Sequence, residues 1–452
     1  MSARGASPPV ASVVGVARRR QLLPLLLLEA ATLLSGTGNG VALVALPWIA
    51  LERTGSPTAA GVLAAATALP LLLSSLFSGT VVDLVGRRRT SVGSDLLSAV
   101  SVAAIPLAAA ADVLSVPVLV ALAMLGAVFD PAGATAREVL LPAAAERAGW
   151  RLERVNGTHE AVYGVAFLVG PGVGGLLIGL VGATTTLWVT AAGFLLSAAA
   201  VTALRLPGAG PPVEAERPAG VWRGTVEGLR FVARDPLLRA IAVVGAALVA
   251  LYLPMEGVLL PTHFSALGAP ERLGAVVMAL SGGGVVGSLA HAQWGHRLPR
   301  RGTFVTALVL TGVSILGMAA LPPFPWLLAA SFATGVAYGP IQPLTNLALQ
   351  RRTPERLRGR VVGILVASQY AAGPVGYLLA GPLVEAVGLR PAFLGLAVAL
   401  LAVACAALLA RGLHGFDDPP AGPPAPGGAA GPGQPHPVAA APPRAHGAAP
   451  PG

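Results

Sequence analysis

Three carboxylates stand inside long apolar stretches of this chain: Glu29, Asp130 and Glu256. A charge at the centre of a membrane-spanning helix costs roughly 2.5–3.5 kcal/mol on insertion scales, so each position asks for a function. An acid so placed can exchange a proton or hold a cationic ligand. Asp130 precedes Pro131, and Arg137 follows seven residues on, nearly on the same helical face. Glu256 follows Pro254. Glu29 lies about two turns into the first apolar stretch, where snorkelling toward the interface is the competing reading. Asp95 is expected in a structural ion pair. Four amides, Asn39, Gln342, Asn346 and Gln369, have similar surroundings. They either line a cavity or hydrogen-bond between helices.

Other chemistries are excluded by residue type. The chain has no lysine, so all 30 basic residues are arginine. That removes a Walker A loop, a kinase-type lysine and a pyridoxal Schiff base together. The single cysteine, Cys405, allows neither a disulfide framework nor a cysteine metal cluster. His159-Glu160 lacks a second histidine at i+4, so it is no zinc motif; it is expected in a charge network at the mouth of its helix. His291 and His296 are expected at an interface. Gly282-x-Gly284-x-x-Gly287 spells a dinucleotide fingerprint, but it lies inside an apolar stretch with no acid between Glu271 and Glu355. It reads as a packing surface. No catalytic set, metal site or cofactor is expected, and the chain does not read as an enzyme.

The elements that hold these residues follow from composition. Of 452 residues, 54% are hydrophobic and 11% charged, where a soluble domain carries about a quarter charged. Apolar stretches of about 20 residues recur, each able to cross a hydrocarbon core of ~30 Å. They are continuously apolar rather than alternating, which implies helices and not a barrel. Twelve spans are expected near 22–49, 58–82, 91–111, 115–141, 156–181, 184–205, 238–262, 274–296, 303–322, 325–350, 361–387 and 390–411. Arg18–Arg20 before Leu22–Leu28 resembles the start of a signal peptide, but the apolar run continues to Ile49 and further spans follow. The expected organisation is a disordered tail at 1–17, six spans in 18–205, a loop at 206–237 with a short interfacial helix at Trp222–Arg234, six spans in 238–411, and a disordered proline-, alanine- and glycine-rich tail at 412–452.

Arginine sets the orientation. On one side lie Arg18–Arg20, Arg87–Arg89, Arg137 to Arg154, Arg205 to Arg239, Arg297 to Arg301, Arg351 to Arg360 and Arg411; on the other, only Arg53, Arg272 and Arg390. The positive-inside rule makes the first side cytoplasmic, with both termini inside. The net charge of +10 therefore reports topology and not nucleic-acid binding. The two halves also repeat about 206 residues apart. Arg154-Val155-x-Gly157 leads to Gly170, Gly175 and Val181-Gly182, and Arg360-Val361-x-Gly363 leads to Gly376, Gly381 and Val387-Gly388. Phe129-Asp130-Pro131 recurs as Tyr338-Gly339-Pro340, and Gly79…Gly86-Arg87 as Gly287…Gly295-His296-Arg297.

Two motifs carry a family resemblance. Gly79-Thr-Val-Val-Asp83-Leu84-Val85-Gly86-Arg87-Arg88 resembles the loop 2–3 motif of the major facilitator superfamily. Gly157, Ala166, then Gly170-Pro171-x-x-Gly174-Gly175 resembles the antiporter motif of that family's drug–proton exporters, with Ala166 replacing one glycine. The resemblance implies twelve helices in two pseudo-symmetric six-helix bundles with a substrate site between them. It also implies a cytoplasmic charge lock, in which Asp83 faces a helix N-terminus near Arg360 while the loops around Asp83 and Arg137 latch the halves. Leu84 departs from the basic residue usual after the aspartate, and related exporters often carry an acid where Asn39 stands. Pro354-Glu355-Arg356-Leu357-Arg358-Gly359-Arg360-Val361 also resembles bacterial drug and siderophore exporters. The implied function is efflux of a small amphipathic molecule by proton antiport across a bacterial cytoplasmic membrane, with the bilayer, the substrate and protons as partners. An uptake permease of the same fold and a non-transporting membrane sensor are the alternatives.

Overall fold

A computed structural model describes residues 21–204, 206, 221–354 and 357–417, with side-chain placement for all of these but 76, 79, 80, 83, 221–225, 358 and 359. The expected tails at 1–17 and beyond 417, and residues 207–220 of the loop at 206–237, fall outside the described residues.

Among the described residues the chain is helical throughout. The first half comprises α1 (Leu23–Thr54), α2 (Pro57–Val85), α3 (Arg87–Ala110), α4 (Val116–Ala127), α5 (Asp130–Ala148), α6 (Leu152–Val181) and α7 (Ala183–Ala203). The amphipathic α8 (Val221–Arg234) connects it to α9 (Pro236–Pro254), α10 (Leu260–Ala266), α11 (Pro270–Trp294), α12 (Arg300–Ala319), α13 (Phe324–Tyr338), α14 (Ile341–Arg352), α15 (Arg358–Val387) and α16 (Leu389–Leu409). Among the described residues, eleven helical segments are long and apolar enough to cross a membrane. The expected tenth span is present as α13 followed by α14, which gives twelve.

The interruptions lie where the sequence repeat puts them. Span four breaks between α4 and α5 at Phe129-Asp130-Pro131, and span ten between α13 and α14 at Gly339-Pro340. Proline removes a backbone donor and its ring crowds the preceding turn, which favours a break at these two positions, although Pro171, Pro374 and Pro382 sit inside continuous helices. Restarting places Asp130 in the first turn of α5. Span seven is interrupted too: after Pro254, residues Met255–Leu259 form one wide π-helical turn before α10. Loops five–six and eleven–twelve turn on Gly182 and Gly388, with φ of 84° and 86°, a backbone conformation that disfavours any side chain.

Small residues bring the helices together. Gly283 and Gly287 of α11 approach the backbone of Phe332 and Val336 in α13, and Gly335 returns the contact to Leu280. The dinucleotide-like glycines thus belong to a packing surface, which replaces hydrophobic driving force where lipid surrounds the helices. After α16 the chain does not become irregular at once. Arg411–Phe416 makes a short 3-10 helix that buries Leu413 and Phe416 and accepts an Arg352 hydrogen bond at the Gly415 oxygen, 2.7 Å.

Candidate functional site

In the first half the intramembrane charges are partnered. Asp95 on α3 and Arg137 on α5 are both buried and meet at 3.3 Å. Arg137 also donates to Ser35 of α1 at 3.2 Å and Ser91 at 3.4 Å, while Ser197 of α7 donates to Asp95 at 2.7 Å. Asp95 therefore holds the structural pair expected of it. The hydrogen bonds of Arg137 stay inside this network, within one half. A buried pair with its remaining donors satisfied is stable where a lone charge is not.

Asp130 is bound differently. Both its carboxylate oxygens accept from the Asn39 side-chain amide of α1, at 2.9 and 3.0 Å. Arg137, on the same face, spends its hydrogen bonds on Asp95, Ser91 and Ser35. Asn39 is thus a neutral partner to a carboxylate rather than a cavity amide alone. Glu29 does not snorkel: it is buried and meets His159 Nδ1 of α6 at 3.2 Å, leaving its Oε1 without a partner. This corrects the reading of His159 as a member of a loop network, because the imidazole turns inward.

In the second half Glu256 occupies the π turn of span seven, half-buried, with no hydrogen-bond or ion-pair partner among the described residues. Gln342 and Gln369 line a narrow pocket with Val244, Leu248, Phe304 and Tyr338. Asn346 accepts from Gln342 at 3.2 Å. Sequence reasoning missed the aromatic component. The chain has five tyrosines, and each lies in electrostatic range of one of the two carboxylates that lack a charged hydrogen-bond partner. Tyr163 and Tyr370 lie in range of Asp130; Tyr252, Tyr338 and Tyr377 lie in range of Glu256. A signal was present, since all five sit within spans instead of at the water interface where tyrosine usually gathers.

The glycine motif of α6 is a contact surface with two sides. Gly36 of α1 lies against Ala166, Gly40 against Gly170 and Pro171, and Val41 against Gly174. The alanine that replaces a motif glycine is accommodated because α1 supplies Gly36 opposite it. Gly175 faces the other half, where a Cβ would stand 2.4 Å from the Pro270 oxygen and 2.9 Å from Gly274 of α11. Gly157 faces open space.

The halves are tied at the arginine-poor end. Ser56 Oγ and the Thr58 N–H, at the start of α2, donate to Glu385 of α15 at 2.5 and 3.2 Å. Gly381 and Gly61 let α15 and α2 approach at the backbone, and α1 touches α10. Glu385 was not singled out from the sequence. At the arginine-rich end these ties do not join the two bundles: Arg88 donates to the Thr202 oxygen, Arg301 to that of Leu408 at 2.8 Å, and Arg360 pairs with Glu227 of the connecting α8 at 2.5 Å. The expected lock rests on Gly79 and Asp83, which fall outside the described side-chain placements. Of its other members, Gly86 ends α2 with φ of 95°, and Arg87 and Arg88 open α3.

Twelve spans in two similar halves, tied at one end around buried polar groups, define a polytopic membrane transporter fold. The family model described as Major Facilitator Superfamily matches residues 28–284 and 255–445, and the chain belongs to that family. It is 47% identical over 397 residues to the multidrug efflux pump Tap of Mycobacterium tuberculosis, covering 87% of this chain and 95% of the relative. The Tap pump of Mycolicibacterium fortuitum is also 47% identical, with 97% of its length covered. Among solved structures, the nucleoside transporter NupG superposes with a TM-score of 0.68 at 12% identity, covering 85% of this chain and 98% of that one. A POT family transporter superposes with a TM-score of 0.64 at 11% identity, covering 86% and 95%. These two likenesses establish the fold. Membership makes the chain a transporter and not an enzyme.

Proposed function

We propose that this protein exports a small amphipathic molecule, a drug or secondary metabolite, across a bacterial plasma membrane by proton antiport. The observation that carries the coupling is Asp130: a carboxylate inside a span whose hydrogen-bond partner is the neutral Asn39. A carboxylate neutralised by arginine has little reason to change protonation, whereas one held by an amide keeps a partner in either state. Glu29, paired with a histidine, and the partnerless Glu256 are the other candidates. Export is supported by the α6 glycine motif and by relatives named as multidrug efflux pumps.

The halves, 18–205 and 238–411, rock about a cavity between them, with both termini in the cytoplasm. Under this orientation the ties of α2 to α15 and of α1 to α10 close the outer end, and the cavity opens inward. One proton entering down 100 mV supplies about 2.3 kcal/mol. That sustains a gradient of roughly fifty-fold in a neutral solute, since tenfold costs about 1.4 kcal/mol. Proton antiport is therefore energetically sufficient.

The test uses inside-out vesicles holding the purified protein and a pH-sensitive dye. A proton gradient is imposed and a panel of amphipathic compounds added. Dissipation by some compounds, absent in empty vesicles and lost in Asp130→Asn, is the expected result. Full dissipation with Asp130, Glu29 and Glu256 all neutralised would overturn the assignment of coupling to these acids.

A further inference from the structure

We propose that α8 docks on anionic phospholipid headgroups at the arginine-rich end of the molecule. Arg230 and Arg234 make the phosphate contacts, and Val226, Leu229 and Ala233 enter the headgroup boundary beside them. This goes beyond the transport reading and depends on neither substrate, direction nor coupling.

The inner face of α8 is fixed to the second half. Val232 is buried in one cluster with Leu238, Leu349, Leu357, Val361 and Leu365, where α9, α14 and α15 meet. Gly228 lets α15 approach: a Cβ there would stand 2.8 Å from Ile364 and 3.1 Å from Arg360. Glu227 completes the mounting through its ion pair with Arg360. The helix is thus held on the bundle before any lipid arrives, and docking orders little new chain.

The outer face carries two strips. At about 100° per residue, Val226, Leu229 and Ala233 fall within roughly 60° of one another, and Leu229 is 55% exposed. Arg230 and Arg234 lie alongside, both exposed. Apolar side chains flanked by arginine suit a helix lying in a membrane interface, where the guanidinium groups reach phosphate while the apolar strip leaves water.

Charge decides which lipid. Both acids of residues 226–239 are already engaged: Glu227 by Arg360, and Asp235 by the Leu237 and Leu238 N–H groups, each 2.9 Å away, as the cap of α9. Arg239 donates to the Ala233 oxygen at 3.0 Å. Arg230 and Arg234 have no hydrogen-bond or ion-pair partner among the described residues. A zwitterionic headgroup brings a cation with its phosphate, whereas phosphatidylglycerol brings the phosphate charge alone. A free phosphate would meet the arginines but leave the apolar strip in water.

The test uses the full-length protein in nanodiscs, with Cys405→Ser and a bimane label at Leu229→Cys. Phosphatidylglycerol and phosphatidylcholine, each carrying a nitroxide near the top of one acyl chain, are titrated as quenchers into unlabelled phosphatidylcholine. The parent should be quenched by the phosphatidylglycerol probe at a roughly 30-fold lower mole fraction, about fivefold for each arginine. Arg230→Gln should keep about fivefold of this preference, and Arg230→Gln with Arg234→Gln should lose most of it. Arg151→Gln, which removes an exposed arginine at the same end of the other half, should leave it unchanged. Thermal unfolding confirms that the variants are folded. Sodium chloride and sodium phosphate at matched ionic strength should weaken the preference equally. Specific displacement by phosphate would assign the arginines to a free anion and overturn lipid docking. Absence of quenching by either lipid, equal quenching by both in the parent, or an unaltered preference in the folded double variant would overturn it as well.

Discussion

Gly175→Ala is expected to shift the protein away from the state closed at its arginine-poor end. In that state a methyl at position 175 would sit 2.4 Å from the Pro270 oxygen and 2.9 Å from two Gly274 backbone atoms. Ordinary contact begins at 3.4 Å, so α6 and α11 must part by about 1 Å, and neither obstacle is a side chain that can turn aside. Overpacking of this kind costs about 1–3 kcal/mol. If parting the halves relieves it, the equilibrium between end-closed and end-open forms moves roughly 5- to 150-fold. The same motif supplies its control, because Gly157 meets nothing within 4 Å and Gly157→Ala should change nothing. The assay removes the exposed Cys405 and places spin labels through Ser115→Cys and Leu267→Cys, one on each half at that end. Pulsed dipolar spectroscopy then reads the distance between them. Gly175→Ala should add a longer-distance population that the parent and Gly157→Ala lack. An unchanged distribution, or an equal shift from Gly157→Ala, would refute the assignment of Gly175 to the seal.

Two other outcomes follow from named contacts. Arg137→Met strands the buried Asp95 carboxylate and should lower thermal stability in detergent by about 3–5 kcal/mol, and Asp95→Asn should do comparable harm. The double variant should cost less than the two single ones together; a double variant equal to their sum would mean the two residues act separately. Glu385→Ala removes the acceptor shared by Ser56 and Thr58 and should lengthen the distance between the same spin labels without reducing expression. Glu385→Gln, which keeps an accepting oxygen, should restore part of it, and labels that do not respond to Glu385→Ala would remove Glu385 from the seal.

The repeat was legible in the sequence, whereas the breaks within spans four and ten, expected as continuous stretches at 115–141 and 325–350, were not. Phe129-Asp130-Pro131 and Tyr338-Gly339-Pro340 read as corresponding positions, and both interrupt their spans. Trp222–Arg234 read as a short helix, and α8 covers it. The glycines of spans five and eight read as packing surfaces. These are local or periodic properties: hydrocarbon cannot satisfy a backbone polar group, so a long apolar stretch in a membrane must be a helix wherever it packs. Proline and glycine act on their own turns for the same kind of reason.

Partnership was not legible. Arg137 and Asp130 share a helical face seven residues apart, yet Arg137 bonds to Asp95, and Asp130 takes Asn39, 91 residues away. Glu29 reaches His159 across 130 residues, and Ser56 reaches Glu385 across 329. The gathering of the tyrosines around Asp130 and Glu256 is of the same kind. The sequence by itself determined a membrane chain of twelve helical spans in two related halves, because composition and periodicity act along the chain. Only the tertiary structure decided which charge meets which partner. That depends on the rotation and depth of helices distant in sequence, set here by backbone approaches such as Gly40 to Gly170 and Gly175 to Gly274, where a single methyl group would change the register.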